Sequence, residues 1–322
     1  MSGGEVLATT AGITAGALLW DRALGEPRRL HPLVGFGRLA QWLEGRLNRS
    51  RSTDRPRGAL ALCILVVPPV VAVLAVEAMA PAAIQWVCAV VVLGLAVGWR
   101  SLREHADAVA TPLAEGAQGR AQEAVGRMVS RDACQLDATG VATAATESVL
   151  ENGADAVIAS LFWYALAGMP GVVLHRLVNT LDAMWGYRST RFLHFGWAAA
   201  RLDDLLNWVP ARLTALGYAL CGHAPTALRC WRGQARHWDS PNAGPAMAAG
   251  AGALRLRLGG PAPYAEGWRD RPPLGQGQAP GAAEIRAAVR LLDRVVLLWF
   301  AALAAAAVLS WLMSGMGTTD GY

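Results

Sequence analysis

The chain contains no lysine, because all 29 of its basic residues are arginine. This absence excludes a Walker lysine, a Schiff-base lysine and a lysine general base. Charged residues of both signs make up only 16% of the sequence, whereas soluble domains usually carry about 25%. With 54% hydrophobic residues, this composition is typical of an integral membrane protein. A net charge of +5 in an arginine- and alanine-rich chain gives no reason to predict a nucleic-acid partner, and we expect none.

Cysteine is scarce and scattered. The five cysteines include no CxxC pair, and Cys63, Cys88 and Cys221 lie in apolar runs. Disulfides and a structural zinc site are therefore both unexpected. The sequence also lacks the GxxxxGK[ST], GxGxxG and HExxH patterns, so no common nucleotide-binding or metalloprotease motif indicates the chemistry.

Six apolar runs divide the sequence. A transmembrane helix needs about 20 largely apolar residues, and the second, third and sixth runs meet this requirement best, while the first is marginal. We therefore predict an all-α, polytopic membrane protein with about four to six membrane segments in a single domain over residues 1–322. The runs cover residues 6–20, 58–80, 84–99, 154–174, 205–221 and 295–313.

Arginine is distributed unevenly between the polar sections. With the N-terminus outside, residues 21–57, 100–152 and 223–293 are cytoplasmic, and these sections, counted up to Arg294, hold 24 arginines. The section from Arg176 to Asp204 holds four, and simple alternation places it outside although it is rich in polar residues. We therefore expect the fourth and fifth runs to be broken or re-entrant, which is tolerated where the backbone lines a protein cavity.

A polar stretch opens the fifth run. On a helix, Asp203 and Asn207 share one face, and Asp204, Trp208 and Arg212 share the next. Ionised groups at membrane depth are costly, so they usually face a cavity or a partner rather than lipid. Two interpretations stay open: an interfacial helix with solvated charges, or a polar site at the membrane surface.

Three carboxylates precede the fourth run at i, i+4 and i+8. Glu147, Glu151 and Asp155 would stack on one face of a continuous helix, where like charges repel. Such a face invites Mg²⁺, arginine partners or a bound ammonium. The alternative is a solvated acidic face, which the adjoining apolar run makes less favourable.

Two shorter stretches carry weaker signals. Asn179 and Asp182 are spaced i, i+3, as in a capped turn or a polar site. His237 precedes a turn that contains Ser240 and Asn242, and such a turn can hold an anion with its free backbone N–H groups. His237 is a possible general acid or base, although a lone histidine is more often structural.

Arginines also flank the first and last runs. Arg22 and His31 follow the first run, where arginine suits phosphate by bidentate hydrogen bonding but serves equally as a positive-inside anchor. Arg286, Arg290 and Arg294 form a stripe before the last run, where the anchor interpretation is favoured.

Together these stretches resemble the adenosylcobinamide-phosphate synthase family of cobalamin biosynthesis (CobD/CbiB). One stretch alone is a weak signal, but the ordered set covers nearly the whole chain and is specific. Ser130 and Ser160 depart from the usual glycine and proline, and Pro245 follows Ser-Pro-Asn-Ala-Gly where the family often has glutamate. The matching pieces are Asp21-x-x-Leu24-Gly25-x-Pro27-x-x-x-His31-Pro32, Val129-Ser130-Arg131-Asp132, Glu147-Ser148-x-x-Glu151-Asn152-x-x-Asp155, Leu161-Phe162-Trp163, Asn179-Thr180-Leu181-Asp182, Gly186-Tyr187, Ala200-Arg201-Leu202-Asp203-Asp204-x-x-Asn207, Pro210-Ala211-Arg212 and Ser240-Pro241-Asn242-Ala243-Gly244.

The resemblance implies an amide-forming ligase. It would join adenosylcobyric acid to (R)-1-amino-2-propanol or its O-phosphate, using ATP and Mg²⁺, in the inner membrane with its active site facing the cytoplasm. The implied partners are membrane lipid, the corrinoid and amine substrates, and other cobalamin-biosynthesis proteins, one of which could carry the ATP site. A non-catalytic membrane scaffold and a corrinoid transporter subunit remain alternatives.

The residue roles expected on this basis fall into three groups. We also predict that eight of these residues converge on one cytoplasm-accessible cavity: Glu147, Glu151, Asp155, Asn179, Asp182, Asp203, Asp204 and Asn207. Catalytic roles are predicted for Glu147, Glu151, Asp155, Asp203, Asp204 and His237. Substrate or phosphate binding is predicted for Arg22, His31, Arg131, Asn152, Asn179, Asp182, Arg201, Asn207, Arg212, Ser240 and Asn242, and magnesium binding for Asp203, Asp204 and Glu151.

Overall fold

The structure, a computed structural model, describes residues 3–25, 31–264 and 267–316, with side chains up to residue 313. Pro27 of the first family motif lies outside the described residues. The predicted all-α polytopic fold is confirmed. The helices are α1 (Gly3–Leu24), α2 (Pro32–Leu47), α3 (Arg55–Met79), α4 (Ala82–Val97), α5 (Trp99–Ala114), α6 (Gln118–Val125), α7 (Ala138–Asn152), α8 (Ala159–Trp185), α9 (Trp197–Leu206), α10 (Trp208–Cys221), α11 (Ala224–Gln234), α12 (Ala243–Leu254) and α13 (Ala282–Met316).

The chain divides by its internal contacts into two compact units. The first unit comprises Met1–Gly98, Ala159–Asn207 and Phe300–Tyr322, and the second comprises Trp99–Ile158 and Trp208–Trp299. The single membrane domain predicted over the whole chain stays a prediction.

Within the part of the chain that the structure describes, four helical stretches are long and apolar enough to cross a membrane. On α3 the exposed side chains Leu60, Ile64, Val67, Val71 and Leu74 recur at helical spacing, as expected of a lipid-facing stripe. The marginal first run lies in α1 and the fifth run in α9 and α10, and none of these helices is among the four. The four stretches are Ser52–Met79, Ala82–Ala114, Ala138–Trp185 and Ala282–Met313.

Helix α8 reverses direction at Gly168. Ala167 (φ −140°) and Gly168 (φ +61°) leave the helical region, and glycine tolerates the positive φ because it has no Cβ. A Cβ on Gly171 would lie 2.6 Å from the carbonyl oxygen of Trp163. Residues eight apart are separated by about 12 Å along a straight helix, so this close approach requires a reversal. The break predicted in the fourth run is therefore present.

The two arms of α8 follow the α3–α4 hairpin. Ser160 Oγ donates to the carbonyl of Ala96 at the end of α4 (3.3 Å), so the first arm begins there. The backbone N–H of Met169 donates to Glu77 Oε1 (3.0 Å) near the end of α3, so the reversal lies beside the turn that joins α3 to α4. The second arm then returns along α3 toward its N-terminal end.

This return places the section after α8 beside the segment that precedes α3. The guanidinium of Arg191 bonds both carboxylate oxygens of Glu44 (3.1 and 2.6 Å), and Asn48 Nδ2 donates to the carbonyl of Arg191 (3.0 Å). Simple alternation of spans, which puts residues 176–204 on the side opposite to residues 21–57, is therefore wrong, because the fourth run turns back on itself.

An apolar core fixes α9 against α8 and α3 in the first unit. Trp185 and Phe195 are buried and meet edge to face with ring centroids 5.0 Å apart. Leu181 of α8 and Leu65 of α3 belong to the same cluster, as does Leu206 at the end of α9. This packing holds the polar face of α9 in place. Asn207 then ends α9, so the fifth run is also broken, as predicted.

In the second unit, α13 is bound to α5 and the polar section includes short strands. The Asp293 carboxylate accepts from Trp99 Nε1 (2.9 Å) and from Arg103 (2.6 Å). Residues 259–281 are rich in glycine and proline, which is typical of a loop, but they contribute to two antiparallel ribbons, β1 with β4 and β2 with β3. Three-residue strands are too short to show an alternating pattern in the sequence. The strands are β1 (Arg257–Gly259), β2 (Ala262–Tyr264), β3 (Gly267–Arg269) and β4 (Pro273–Gly275).

Candidate functional site

In the first unit, a chain of polar side chains connects the second arm of α8 to the end of α9. Asn207 Oδ1 lies 2.8 Å from His175 Nε2, and its Nδ2 donates to Asp203 Oδ1 (3.0 Å). Asn179 Nδ2 donates to the same oxygen (3.1 Å), and Arg176 lies 3.4 Å from Asn179 Oδ1. His175, Asp203 and Asn207 are buried. The network therefore holds one carboxylate between two neutral amides.

Burial raises the pKa of Asp203 above its ordinary value, although the Asn179 and Asn207 amides favour its ionised form. The neighbouring Asp204 opposes ionisation as well. Burial also raises the pKa of Asp204, while Arg201 and Arg188 act in the opposite direction. Arg201 is exposed and lies 3.4 Å from Asp204, and its predicted role in substrate or phosphate binding stays a prediction.

Asp203 and Asn207 share a face at i, i+4, as the sequence predicts. Of the two residues Asn179 and Asp182, Asn179 joins the network, and the backbone carbonyl of Asp182 accepts the Gly186 N–H (2.6 Å) at the end of α8. The sequence interpretation missed His175 and Arg176. Their signal was available, because His175 precedes Asn179 by four residues and thus shares its face.

In the second unit, Glu147 on α7 is held by two arginines. Arg131 makes a close ion pair with Glu147 Oε2, and Arg271 contacts both carboxylate oxygens (2.8 and 3.3 Å). The Gly259 N–H donates to Oε1 (2.7 Å), and the Glu147 side chain is only 2% exposed. Burial opposes the charge of Arg131, but Glu147 outweighs it and raises the pKa of Arg131. This geometry favours a positioning role for Glu147, and its direct catalytic role stays a prediction.

Glu151 lies one turn after Glu147 and is half-buried. Its carboxylate makes no hydrogen bond or ion pair within the part of the chain that the structure describes. Asn152 donates to Ser148 O (2.9 Å) and Ser148 Oγ (3.1 Å), which leaves Glu151 as the uncommitted polar group of this turn.

A π-helix at Gly153–Ile158 follows α7 and interrupts the predicted carboxylate stack. A Cβ on Gly153 would lie 2.7 Å from the Tyr218 hydroxyl, which donates to the carbonyl of Leu150 (3.0 Å). The predicted continuous α-helical spacing from Glu147 to Asp155 is therefore wrong, because it ends at Asn152. π-Turns inside helices are frequent at functional sites, so the break itself marks this region.

Arg212, Ser240 and Asn242 form a clasp in the second unit. Arg212 donates to Asn242 Oδ1 and to the carbonyl of Pro241 (both 3.3 Å), and its guanidinium stacks on Trp208 at 4.1 Å. Ser240 Oγ accepts the N–H groups of Asn242 and residue 243 (3.2 and 3.1 Å). These contacts join α10 to the start of α12 and therefore have a structural role. The substrate-binding roles predicted for these three residues stay predictions.

The remaining predicted residues lie apart from the two networks of hydrogen bonds. His237 is exposed at the end of a 3₁₀ turn. His31 caps α2, its Nδ1 accepting the Leu33 N–H (3.2 Å), and Arg22 is exposed in the last turn of α1. Their predicted catalytic and phosphate-binding roles stay predictions.

The predicted residues divide between the units, so their convergence on one cavity stays a prediction. Among the described residues, no group of three or more His, Cys, Asp or Glu side chains is placed to hold a metal ion. The first unit contains Arg22, His31, Asn179, Asp182, Arg201, Asp203, Asp204 and Asn207, and the second contains Arg131, Glu147, Glu151, Asn152, Asp155, Arg212, His237, Ser240 and Asn242.

Comparison with known proteins relates nearly the whole chain to one group. Residues 14–292 match the family described as CobD/Cbib protein. The chain is 54% identical over 299 residues to the cobalamin biosynthesis protein CobD of Chromobacterium violaceum, with 91% of this chain and 95% of the relative covered. It is 56% identical over 285 residues to the same-named protein of Stutzerimonas stutzeri (88% and 93% covered) and 41% identical over 292 residues to that of Mycobacterium tuberculosis (88% and 91% covered). No solved structure matches the chain significantly.

Proposed function

Because the chain belongs to the CobD/CbiB family, we propose that it is an adenosylcobinamide-phosphate synthase of cobalamin biosynthesis. It joins adenosylcobyric acid to (R)-1-amino-2-propanol or its O-phosphate at the expense of ATP. The names of its relatives support cobalamin biosynthesis, and the reaction itself is our proposal. We further propose a multi-pass protein of the inner membrane whose polar groups face the cytoplasm, where ATP and the corrinoid are found.

The reaction needs an activated carboxylate. The γ-phosphoryl group of ATP passes to the propionate carboxylate, which gives an acyl phosphate and ADP. The amine nitrogen then attacks the acyl carbon, the new C–N bond forms, and the bond to phosphate breaks. A base takes the proton that the ammonium must lose. The protein has to orient the two substrates, exclude water from the acyl phosphate and place that base.

The position of the Glu151 carboxylate is the observation that carries the proposal. This residue is a half-buried carboxylate without a partner among the described residues, one turn from two arginines held by Glu147. A carboxylate in this position can attract the substrate ammonium and accept its proton, while guanidiniums suit phosphate oxygens. Asp203 supplies a second buried carboxylate, in the first unit.

The carboxylates of this protein fit magnesium only when the ion is bound together with ATP. Mg²⁺ is usually held by one or two carboxylates together with substrate phosphates and water, rather than by an all-protein cage. The described residues offer carboxylates singly or as the adjacent pair Asp203 and Asp204, which agrees with that mode. When bound, the ion would neutralise phosphate charge during transfer.

A transporter subunit is the second candidate, because α8 is broken in the middle of a membrane-spanning stretch. Discontinuous helices of this kind form substrate sites in many transporters. A non-catalytic scaffold for corrinoid enzymes is a third. Neither of these alternatives requires this chain to form an amide bond.

The decisive experiment is an assay of the purified chain in nanodiscs. We expect corrinoid amide product and ADP in equal amounts from adenosylcobyric acid, aminopropanol phosphate and Mg-ATP, with related pathway proteins added or omitted. Glu151→Gln should abolish the product, whereas Glu123→Gln, which changes an exposed carboxylate paired with Arg127, should not. Normal turnover by Glu151→Gln would remove Glu151 from the mechanism. Absence of product under every condition, with corrinoid uptake into vesicles, would favour the transporter.

A further inference from the structure

A cavity of about 550 Å³ lies in the second unit, beside the cluster of Arg131, Glu147 and Arg271. One wall is the first two turns of α7, with Thr139, Gly140 and Thr143, and the other is formed by the β-ribbons. Arg131 and Arg271 line it directly, and Trp268 stands at its side. Such a volume accommodates a ligand of the size of a nucleotide.

The charge of this cavity favours an anion. Arg131 and Arg271, whose side chains are about 10% and 8% exposed, line the cavity together with the Asp137 carboxylate, whereas Glu147 lies behind the lining. The lining itself therefore carries one excess positive charge. Buried charge without compensation is costly, and an anionic ligand would supply it. Glu151 lies one turn away without touching either guanidinium, so it offsets part of this charge only at a distance.

Trp268 supplies a different kind of surface. It pairs with Pro263 across the β2–β3 ribbon, and the residue is 63% exposed. A large indole left in the open beside an arginine-lined cavity offers a flat face for stacking an aromatic base. The cavity thus combines two arginines that can bind phosphate with an indole that can stack on a base, and these two features together match a nucleoside phosphate.

We infer that this cavity binds a nucleoside triphosphate, with its phosphates near Arg131, Arg271 and the first turn of α7, and its base against Trp268. Helix N-termini favour phosphate, and the hydroxyls of Thr139 and Thr143 are available donors there. Asp137 caps α7 with its Oδ1 on the Gly140 N–H (2.7 Å) and also faces the cavity, so the ligand would enter as its less negative magnesium complex. The inference rests on the proposed function, since it locates the ATP that the reaction consumes.

Equilibrium binding of ATP, inorganic triphosphate and adenosine to the full chain in nanodiscs tests this assignment. We expect ATP to bind most tightly, triphosphate next and adenosine least. Trp268→Ala should weaken ATP binding about tenfold or more while leaving triphosphate binding unchanged, because stacking involves only the base. Trp268→Phe should restore most of the affinity, and Trp311→Phe, which alters a similarly exposed tryptophan on α13, should change nothing.

A second variant tests the phosphate end. Thr143→Val removes one hydroxyl without disturbing the ion cluster, and it should weaken ATP and triphosphate binding together. ATP affinity unchanged in both Trp268→Ala and Thr143→Val would overturn the inference, and Trp268 would then be an ordinary surface residue. If amide product forms in the assay with an unaltered KM for ATP in both variants, the proposed function stands and the ATP site lies elsewhere. If ATP binds here as described but no amide forms, the site stands and the proposed reaction fails.

Discussion

Asp203 in the first unit and Glu147 in the second are both buried carboxylates at the centre of a polar network, but the two networks hold them by different means. In the first unit, Asp203 accepts from the neutral amides of Asn179 and Asn207. In the second, Glu147 accepts from the guanidiniums of Arg131 and Arg271 and from a backbone N–H. Amides leave the charge uncompensated, so the carboxylate remains able to take up a proton or attract a cation. Guanidiniums fix the charge, so Glu147 is suited to hold the arginines and Asp203 to respond to a ligand.

The largest effect should follow from breaking the ion cluster of the second unit. Glu147→Gln removes the charge that both buried arginines share, and the loss of one partner from a buried ion pair costs about 3–5 kcal/mol. We expect this loss in the free energy of unfolding, measured by denaturant titration in mild detergent. Glu123→Gln, at an exposed pair, should change it by less than about 0.5 kcal/mol. Equal effects in the two variants would mean that Glu147 is not a positioning residue.

The sequence predicted only part of that cluster, because one of its members lies far away along the chain. Glu147 and Arg131 were both selected as site residues, but Arg271 stands 124 residues from Glu147 in a section that reads as loop, and no local periodicity connects them. By contrast, the Asp203–Asn207 and Arg201–Asp204 contacts are local, and helical spacing alone predicts them. The apolar runs likewise predict α3, α4 and α13, because twenty apolar residues have few alternatives in a membrane.

The break in the fourth run lies where a glycine- and proline-containing stretch interrupts the apolar sequence, but the sequence does not show that the chain reverses direction there. The Gly168-Met169-Pro170-Gly171 stretch contains the two glycines that allow it, yet the same residues are compatible with a kink in a straight span. The distinction depends on Glu77, ninety-two residues away, which accepts the Met169 N–H. The π-turn after Asn152 left no composition signal at all, so the carboxylate stack was placed on the wrong spacing.

The second-largest effect should come from Gly168, because the reversal returns His175 and Asn179 to Asp203. Gly168→Ala places a side chain at φ +61°, which costs about 1–2 kcal/mol, and its Cβ would lie 2.7 Å from Glu77 Oε1. We expect lower stability of the first unit and a weakened Asp203 network, measured by thermal unfolding and by hydrogen exchange of the residues around Asn207. Gly119→Ala, in an open position on α6, is the matched control. Identical behaviour of both variants would contradict the reversal.

Asp203 offers a pH test of the contrast between the units. Its pKa is higher in the folded protein than in the unfolded chain, so between these two values the folded state binds more protons. Stability should therefore fall as the pH rises from about 4 through the raised pKa, and Asp203→Asn should abolish this part of the pH dependence. Unfolding of both proteins across the same pH series measures it. A parallel pH dependence in the two proteins would show that Asp203 does not titrate in this range.

The smallest effect should follow from Arg201→Gln. Arg201 is two-thirds exposed and lies 3.4 Å from Asp204, and exposed pairs of this kind contribute about 0–1 kcal/mol. We expect a change in unfolding free energy of less than about 0.5 kcal/mol that disappears in high salt, since salt screens exposed charges. The pKa of Asp204 should nevertheless rise further. Burial raises this pKa, and the charge of Arg201 is the larger of the two arginine charges that lower it. A salt-independent loss well above 1 kcal/mol would mean that Arg201 is buried in the working protein. The acidic pair of α9 would then be held by a desolvated guanidinium, as Glu147 is, and the difference between the two networks would be smaller.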